Sequence, residues 1–212
     1  MLIVGAGGLA AQMFQEIEMS KTQDVVFWSE TPTQFKFIED KYSIIKTDEE
    51  VIDYFNSVSK SFILCVGDTG VRKKIAQRFR LLGGKLSTYI SPYTVISPYI
   101  NEIGTGAMIL KDVEMEPGVT IGAECLLNRK SYYGHGCTIS AHCEVGPLAL
   151  VSADAVIGEN SLIGMGSYVL PKIRVGKNVI ISAGSVVTKM LPDNAVVSGV
   201  PAEIRFFRKE KV

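Results

Sequence analysis

A period of six residues governs the second half of this 212-residue chain. Cutting the sequence from Thr94 gives sixteen consecutive hexads without an insertion, and fourteen residues of their fourth column are Ile, Leu, Val or Met, the exceptions being Ser97 and Tyr133. Repetition with so short a period predicts a solenoid, in which each repeat packs on its neighbours. Three hexads complete one triangular coil, so residues eighteen apart in sequence should stack at one strand spacing, about 4.8 Å.

The other columns of the repeat fit a narrow prism. Seven of the sixteen residues in the fifth column are glycine, and we attribute them to corners that need unusual backbone dihedrals. Cys125 and Cys143 are eighteen residues apart and are expected to stack, with Cys137 in the same inward column. We therefore interpret the cysteines as core residues rather than metal ligands and predict no metal site. The absence of C-x-x-C spacing among the four cysteines fits a reducing compartment.

Residues 1–90 follow a different pattern, in which short apolar runs alternate with amphipathic stretches. This alternation is typical of buried parallel strands covered by helices. We predict strands over residues 2–4, 25–28 and 62–66, and helices over 9–19, 48–58 and 69–82. The chain should thus form an α/β Rossmann-like domain over residues 1–90, followed by an all-β parallel β-helix with a C-terminal tail over residues 91–212.

Charge and hydropathy exclude several classes of partner. The chain has 22 Lys and Arg against 22 Asp and Glu, so it lacks the basic field that nucleic acid or an anionic membrane requires. Its apolar start, residues 1–4, is too short for a signal peptide, and no later run approaches the length of a membrane span. We expect a cytoplasmic protein with small-molecule or protein partners.

A glycine loop follows the first predicted strand and opens the first predicted helix. Gly5, Gly7 and Gly8 lie in this loop, where the amides of a helix N-terminus can bind phosphate oxygens. Ala10 stands where a dinucleotide fingerprint has its third glycine, and no acidic residue ends the second strand cleanly, so an NAD site is poorly supported. The alternative is a turn that serves packing alone.

Gly67, Asp68 and Arg72 follow the third predicted strand and should share the carboxyl edge of the sheet with the glycine loop. Ligands of open α/β sheets bind at this edge. Asp68 could accept hydrogen bonds from a base or ribose, and Arg72 could approach a diphosphate. The alternative is a helix-capping Asp68 beside a solvated Arg72.

The whole chain resembles the hexapeptide-repeat sugar O- and N-acyltransferases with a left-handed β-helix, in particular the PglD-like and NeuD-like sialic acid O-acetyltransferase group. The similarity rests on motifs spread from end to end: Gly5-Ala6-Gly7-Gly8, Val66-Gly67-Asp68, Ile90-Ser91-Pro92, Asn128, His135-x-Cys137, Val169-Leu170-Pro171 and Gly199-Val200-Pro201-Ala202. It implies a left-handed helix, a homotrimer, acyl-CoA in the groove between subunits, and a nucleotide sugar held by the first domain, with Asn128 among the substrate-binding residues.

The implied reaction moves an acetyl or other acyl group from acyl-CoA to an amino or hydroxyl group of a nucleotide-linked sugar in bacterial surface-glycan biosynthesis. Acetyl-CoA would be a co-substrate, with no permanently bound cofactor. His135 stands at the position of the family's catalytic histidine, and its imidazole suits a general base at neutral pH. The alternative is a histidine in a surface loop.

Two residues depart from the family's site. Gly136 stands where the family has an acid that orients the histidine, so an orienting partner must come from elsewhere or be missing. Glu144 replaces a second histidine near the thioester, where an anion would oppose the charge that develops on the oxygen. These departures favour an alternative function, in which a catalytically impaired trimer binds a sugar nucleotide or serves as a scaffold.

Three smaller points concern two tyrosines, the second histidine and a rival class of enzyme. Tyr132 and Tyr133, with the cations Arg129 and Lys130, either narrow the groove or reshape the acceptor pocket, or lie exposed on an outer face. His142, with its expected stacking neighbours Glu124 and Asn160, is best interpreted as part of a solvated polar ladder. A zinc enzyme of the γ-carbonic anhydrase type needs three histidine ligands, and the chain has only two histidines.

Overall fold

The computed structural model describes residues 1–20 and 25–209. The chain forms two compact units, Met1–Tyr89 and Ile90–Val212. Within the described residues, no helix has the length and apolar character needed to cross a membrane.

The first unit is a parallel five-stranded sheet with the strand order β3-β2-β1-β4-β5. The three predicted strands and three predicted helices are present, with ends shifted by up to two residues. Helix α2 and the two-residue strands β3 and β5 were not predicted, because segments this short carry no readable period. The elements are β1 (Leu2–Val4), α1 (Gly8–Ser20), β2 (Val26–Trp28), α2 (Lys36–Glu39), β3 (Ile44–Ile45), α3 (Asp48–Ser57), β4 (Ser61–Leu64), α4 (Thr69–Leu81) and β5 (Lys85–Leu86).

The strand order reverses between β1 and β4, and this reversal positions a site. The chain runs outward from β1 to β2 and β3, then returns to pair β4 with the other side of β1. Connections leave adjacent strands in opposite directions at such a point, which opens a crevice at the carboxyl ends. The loops after β1 and β4, which contain Gly5 and Gly67, therefore lie next to each other.

The second unit is a left-handed parallel β-helix with three faces. Its sheets have the strand orders β22-β19-β16-β13-β10-β7, β20-β17-β14-β11-β8 and β24-β23-β21-β18-β15-β12-β9-β6. Only the last pair, β23 with β24, is antiparallel among the pairings described. In chain order, β6 to β24 are Tyr89–Ile90, Val95–Ile96, Glu102–Ile103, Met108–Ile109, Glu114–Met115, Thr120–Ile121, Leu126–Leu127, Tyr132–Tyr133, Thr138–Ile139, Glu144–Val145, Leu150–Val151, Val156–Ile157, Leu162–Ile163, Tyr168–Val169, Arg174–Val175, Ile180–Ile181, Val186–Val187, Ala195–Ser198 and Glu203–Phe207.

The predicted eighteen-residue stacking is confirmed through the middle of the helix. Leu126 pairs with Glu144, and Glu144 pairs with Leu162. Cys125, Cys137 and Cys143 are fully buried in the core. Burial raises the pKa of the Cys137 thiol to about 12, so this group stays protonated at neutral pH.

The prediction of sixteen hexads without an insertion is wrong at the first coil. Ile96 pairs with Met115, nineteen residues later, so one extra residue separates Ile96 from Ile103. Ile96 rather than Ser97 packs against the core, because burial of an aliphatic side chain stabilises the folded state. At the other end, Ile181 pairs with Val197, only sixteen residues later.

The attribution of the fifth-column glycines to unusual dihedrals is also wrong. The left-handed conformation recurs instead in the first column, where every sixth residue from Gly106 to Gly184 has φ between 56° and 77°. The fifth-column glycines are needed because successive coils approach closely. A Cβ atom added at Gly122 would lie 2.4 Å from the backbone nitrogen of Ala141 in the next coil.

Candidate active site

A pocket of about 530 Å³ occupies the crevice at the carboxyl edge of the first unit. It is bordered by the loops that follow β1, β2 and β4 and by one face of α4. Its lining residues include Gly5, Ala6, Gly7, Gly8, Leu9, Trp28, Glu30, Gly67, Lys74 and Arg78. The predicted glycine loop thus borders a cavity large enough for part of a nucleotide.

The glycines of this loop serve two different purposes. Gly5 has φ +115°, and a Cβ atom there would lie 2.5 Å from the carbonyl oxygen of Cys65, so the backbone conformation itself requires glycine. Gly7 and Gly8 have nothing within 4 Å of an added Cβ. Because Gly8 begins α1, the first amides of the helix lack intrahelical partners and can donate to an anion.

Asp68 caps helix α4 in the structure. Its Oδ1 accepts a hydrogen bond from the backbone N–H of Val71 at 2.8 Å, which is the helix-capping alternative. The neighbouring Gly67 lines the pocket. A contact between Asp68 and a base or ribose stays a prediction.

Arg72 lies inside the first unit, and its placement corrects both interpretations of this residue. Only 1% of its surface is exposed, and its guanidinium donates to the carbonyl oxygens of Leu64 and Val66, each at 3.0 Å. These bonds hold the end of β4 and the start of the loop that carries Gly67. A guanidinium committed to buried carbonyls neither approaches a diphosphate nor lies in solvent.

Lys74 and Arg78 are the cations that line the pocket instead. Arg78 is engaged with two carboxylates, since it lies 2.5 Å from Glu30 and 2.8 Å from Asp48, and it also stacks over the ring of Trp28. Lys74 is exposed on the same helix. Neither residue was predicted from the sequence, although α4 places positions 71, 74, 75 and 78 along one face.

His135 lies at a corner of the β-helix, in the turn that follows β13. Its side chain is 65% exposed, while its backbone is fixed on both sides. The His135 N–H donates to Oε2 of Glu116 at 2.7 Å, and its carbonyl oxygen accepts from the N–H of Asp154 at 2.9 Å. A rigid turn between two coils therefore presents a solvent-accessible imidazole.

Glu116 is the orienting partner that the sequence analysis did not find. Its Oε2 lies 3.2 Å from Nδ1 of His135, and its Oε1 accepts from the hydroxyl of Tyr132. The hydrogen bond from Tyr132, followed by those from His135, lowers the pKa of the Glu116 carboxyl below its usual value. The signal was present in the sequence, because Glu116 is eighteen residues before Gly134 and so stacks beside the turn of His135.

The two tyrosines of β13 point in opposite directions, as successive strand residues do. Tyr133 is fully buried inside the helix, with its hydroxyl 3.1 Å from that of Ser131, whereas Tyr132 points outward to Glu116. Neither of the open alternatives holds for both residues. Tyr133 is a core residue, and Tyr132 belongs to the surroundings of His135.

The space beside Gly136 is already occupied by another carboxylate. Gly136 is in the left-handed region with φ +67°, and an added Cβ would lie 2.6 Å from Oδ1 of Asp154 in the next coil. An acid placed at position 136 would meet Asp154 at close range. The chain therefore supports His135 from the preceding coil rather than from the following residue.

The remaining predicted residues lie elsewhere on the β-helix. Asn128 is nearly buried, and its amide donates to the carbonyl oxygen of Val145 at 3.0 Å, a contact within the coil stack. Glu144 begins β15, on a different sheet from β13. His142 Nδ1 lies 3.5 Å from Glu124, whose side chain is only 7% exposed, so this part of the predicted polar ladder is more buried than expected. Substrate contacts of Asn128 and Glu144 stay predictions.

Across residues 1–20 and 25–209, no group of three or more His, Cys, Asp or Glu side chains is arranged to hold a metal ion.

Comparison with protein families gives two matches, one to most of the first unit and one to part of the second. Residues 1–79 match the PglD N-terminal domain, and residues 154–189 match the bacterial transferase hexapeptide family. No match was found among the curated proteins.

Several solved structures resemble nearly the whole chain. A histidine-to-asparagine variant of perosamine N-acetyltransferase from Caulobacter crescentus, in complex with CoA and GDP-perosamine, is 25% identical with a TM-score of 0.86, over 97% of this chain and 96% of that chain. The acetyltransferase domain of PglB from Neisseria gonorrhoeae FA1090, in complex with acetyl coenzyme A, is 26% identical with a TM-score of 0.84, over 96% and 97%. WeeI from Acinetobacter baumannii AYE, 22% identical with a TM-score of 0.81 over 96% and 98%, supports the fold.

These matches show which domains the chain contains. The chain joins a PglD-type N-terminal domain to a left-handed β-helix of hexapeptide repeats. The resemblance to the hexapeptide-repeat sugar acyltransferases of the PglD-like group is confirmed.

Proposed function

We propose that this protein is an acyl-CoA-dependent sugar acyltransferase that acts on a nucleotide-linked sugar in bacterial surface-glycan biosynthesis. The observation that carries the proposal is the full-length similarity to an N-acetyltransferase structure holding both CoA and a nucleotide sugar. A second observation comes from this chain itself: the His135 imidazole is exposed and contacts the Glu116 carboxylate, so it can act as a general base.

The reaction follows from what His135 can do. Nε2 accepts a proton from the amino or hydroxyl group of the acceptor as that group attacks the thioester carbon of acyl-CoA. A tetrahedral intermediate forms, then the carbon–sulfur bond breaks, and the imidazolium returns the proton to the departing CoA thiolate. The products are the acylated sugar nucleotide and free CoA. Acyl-CoA is consumed as a co-substrate.

The first unit is proposed to bind the nucleotide part of the acceptor. The free amides at the start of α1 and the open space beside Gly7 suit a diphosphate, and exposed Lys74 supplies a cation at the same pocket. Glu30 and Asp48 engage Arg78 there, so Lys74 takes the role expected of Arg72.

The proposed activity predicts release of free thiol when the protein is mixed with acetyl-CoA and a 4-amino-sugar nucleotide. A thiol reagent should report CoA at a rate that depends on both substrates, with UDP-linked and GDP-linked acceptors tested in parallel. Binding of a sugar nucleotide without thiol release for any acceptor would instead favour the alternative, a binding or scaffold protein.

We further propose that the protein acts as a cytoplasmic homotrimer. The support is the resemblance to trimeric hexapeptide-repeat acyltransferases, together with exposed apolar side chains on the β-helix such as Leu148, Met165 and Tyr168. Sedimentation equilibrium at micromolar concentration should give three times the 23.1 kDa mass of one chain. A monomer under these conditions contradicts the proposal.

A further inference from the structure

We propose that Glu116 is the positioning residue for His135, whose imidazole it holds in the tautomer that leaves Nε2 free to take the acceptor's proton. The inference rests on the proposed acyl transfer and deepens it. In the family that the chain resembles, an acid directly after the histidine orients the imidazole. This chain has Gly136 there, and Glu116 in the preceding coil takes the place of that acid.

The tautomer follows from the donors and acceptors present. An ionised carboxylate can only accept hydrogen bonds, so a contact between Oε2 of Glu116 and Nδ1 of His135 requires that Nδ1 carry the proton. Because hydrogen bonds from Tyr132 and His135 lower the pKa of Glu116, the carboxylate stays ionised at neutral pH. In the neutral imidazole the remaining ring nitrogen, Nε2, is then the unprotonated one, as a general base requires.

Tyr132 fixes the carboxylate from its other side. The hydrogen bond to Glu116 raises the pKa of Tyr132 to about 12, so the phenol remains a donor throughout the working range of pH. Glu116 also receives the backbone N–H of His135, which ties it to the turn itself. With partners on both oxygens, the carboxylate is held in place before any substrate binds.

The same contact stabilises the charge that forms during reaction. When Nε2 takes the proton, the ring becomes an imidazolium beside the Glu116 anion. The side chain of Glu116 is 36% exposed and that of His135 is 65% exposed, so water screens part of this attraction. We therefore expect an effect of about tenfold to fiftyfold on the rate, smaller than the roughly 10⁴-fold effect of the buried aspartate in a catalytic triad.

Glu116→Gln should lower kcat about tenfold to fiftyfold, with KM for both substrates within about twofold, because the lost interaction is made chiefly in the transition state. Tyr132→Phe keeps the ring and removes one anchor of the carboxylate, so a smaller loss of about threefold is expected. Glu102→Gln, an exposed strand glutamate on another face, is the matched control and should leave kcat unchanged. A Glu116→Gln variant with the kinetics of the Glu102→Gln control overturns the proposal.

Nitrogen-15 NMR of labelled histidine tests the tautomer without relying on activity. The unliganded wild type should show His135 protonated at Nδ1, and a folded Glu116→Ala variant should lose this preference because the acceptor is gone. His142 serves as an internal reference. An unchanged His135 tautomer in Glu116→Ala overturns the positioning role, whereas a wild type with the expected tautomer and no transferase activity rejects the proposed function instead.

Discussion

Replacing His135 with alanine is expected to lower acyl transfer by at least about a hundredfold. The imidazole is the group that would take the proton of the attacking amine or hydroxyl, and alanine offers no substitute. Steady-state kinetics with acetyl-CoA and an amino-sugar nucleotide measure the loss, and calorimetry of CoA binding should show nearly unchanged affinity, since removing the base affects the chemical step.

His142→Ala is the natural control for this experiment, because the chain has only two histidines. His142 faces Glu124 within the coil stack, so its replacement should leave kcat within about twofold if the protein remains folded. Turnover that survives His135→Ala, or that falls equally in both variants, contradicts the assignment of His135 as the base.

Gly7→Val is expected to abolish nucleotide binding by the first unit while leaving it folded. An added Cβ atom at Gly7 has nothing within 4 Å, so the valine side chain is expected to extend into the space assigned to phosphate. Titration calorimetry with UDP and GDP measures the loss for whichever nucleotide the wild type binds. Unchanged affinity in a folded Gly7→Val variant rejects the pocket, as does a wild type that binds neither nucleotide.

Two further variants separate binding from folding at the same pocket. Gly5→Ala should destabilise the unit by about 2 kcal/mol or more, because its backbone is in the left-handed region and the new Cβ would collide with the Cys65 carbonyl oxygen. Lys74→Ala should weaken nucleotide binding only about twofold to fivefold, since the cation is exposed, and the difference should shrink at high salt.

The repeat made most of the second unit predictable, because stacking at eighteen residues is a property of the sequence itself. The first coil failed since strict counting placed Ser97 inward, while burial favours Ile96 one residue earlier. The fifth-column glycines were noted in the sequence but were attributed to unusual dihedrals instead of to the close approach of successive coils. The recurrence of glycine in this column indicates that Gly122 is needed, but only the position of the next coil's backbone shows whether conformation or space requires it.

Site residues that belong to a local motif were predicted from the sequence. Residues that reach the site only through contacts between distant parts of the chain were missed. His135 was found from its motif, whereas Glu116 lies nineteen residues earlier and becomes a neighbour only through stacking. Arg72 was assigned to a ligand although its spacing from Ala76 and Phe79 already placed it on the buried face of α4. Charge suggested a binding role, and the helical period would have corrected it.

The size of Tyr133 limits the size of the other residues in the core of the β-helix. Its ring is the largest side chain in the fourth column and belongs to the same core cluster as three small residues, Cys125, Cys137 and Cys143. Burial raises the pKa of its hydroxyl. A bulkier residue at any of the three cysteine positions would take up volume in the core cluster that holds the ring, and the ring lies two residues before His135. Substitutions at these four positions should therefore be accepted in compensating pairs more readily than one at a time. Pairs that preserve the core volume of these coils also preserve the orientation of the exposed imidazole.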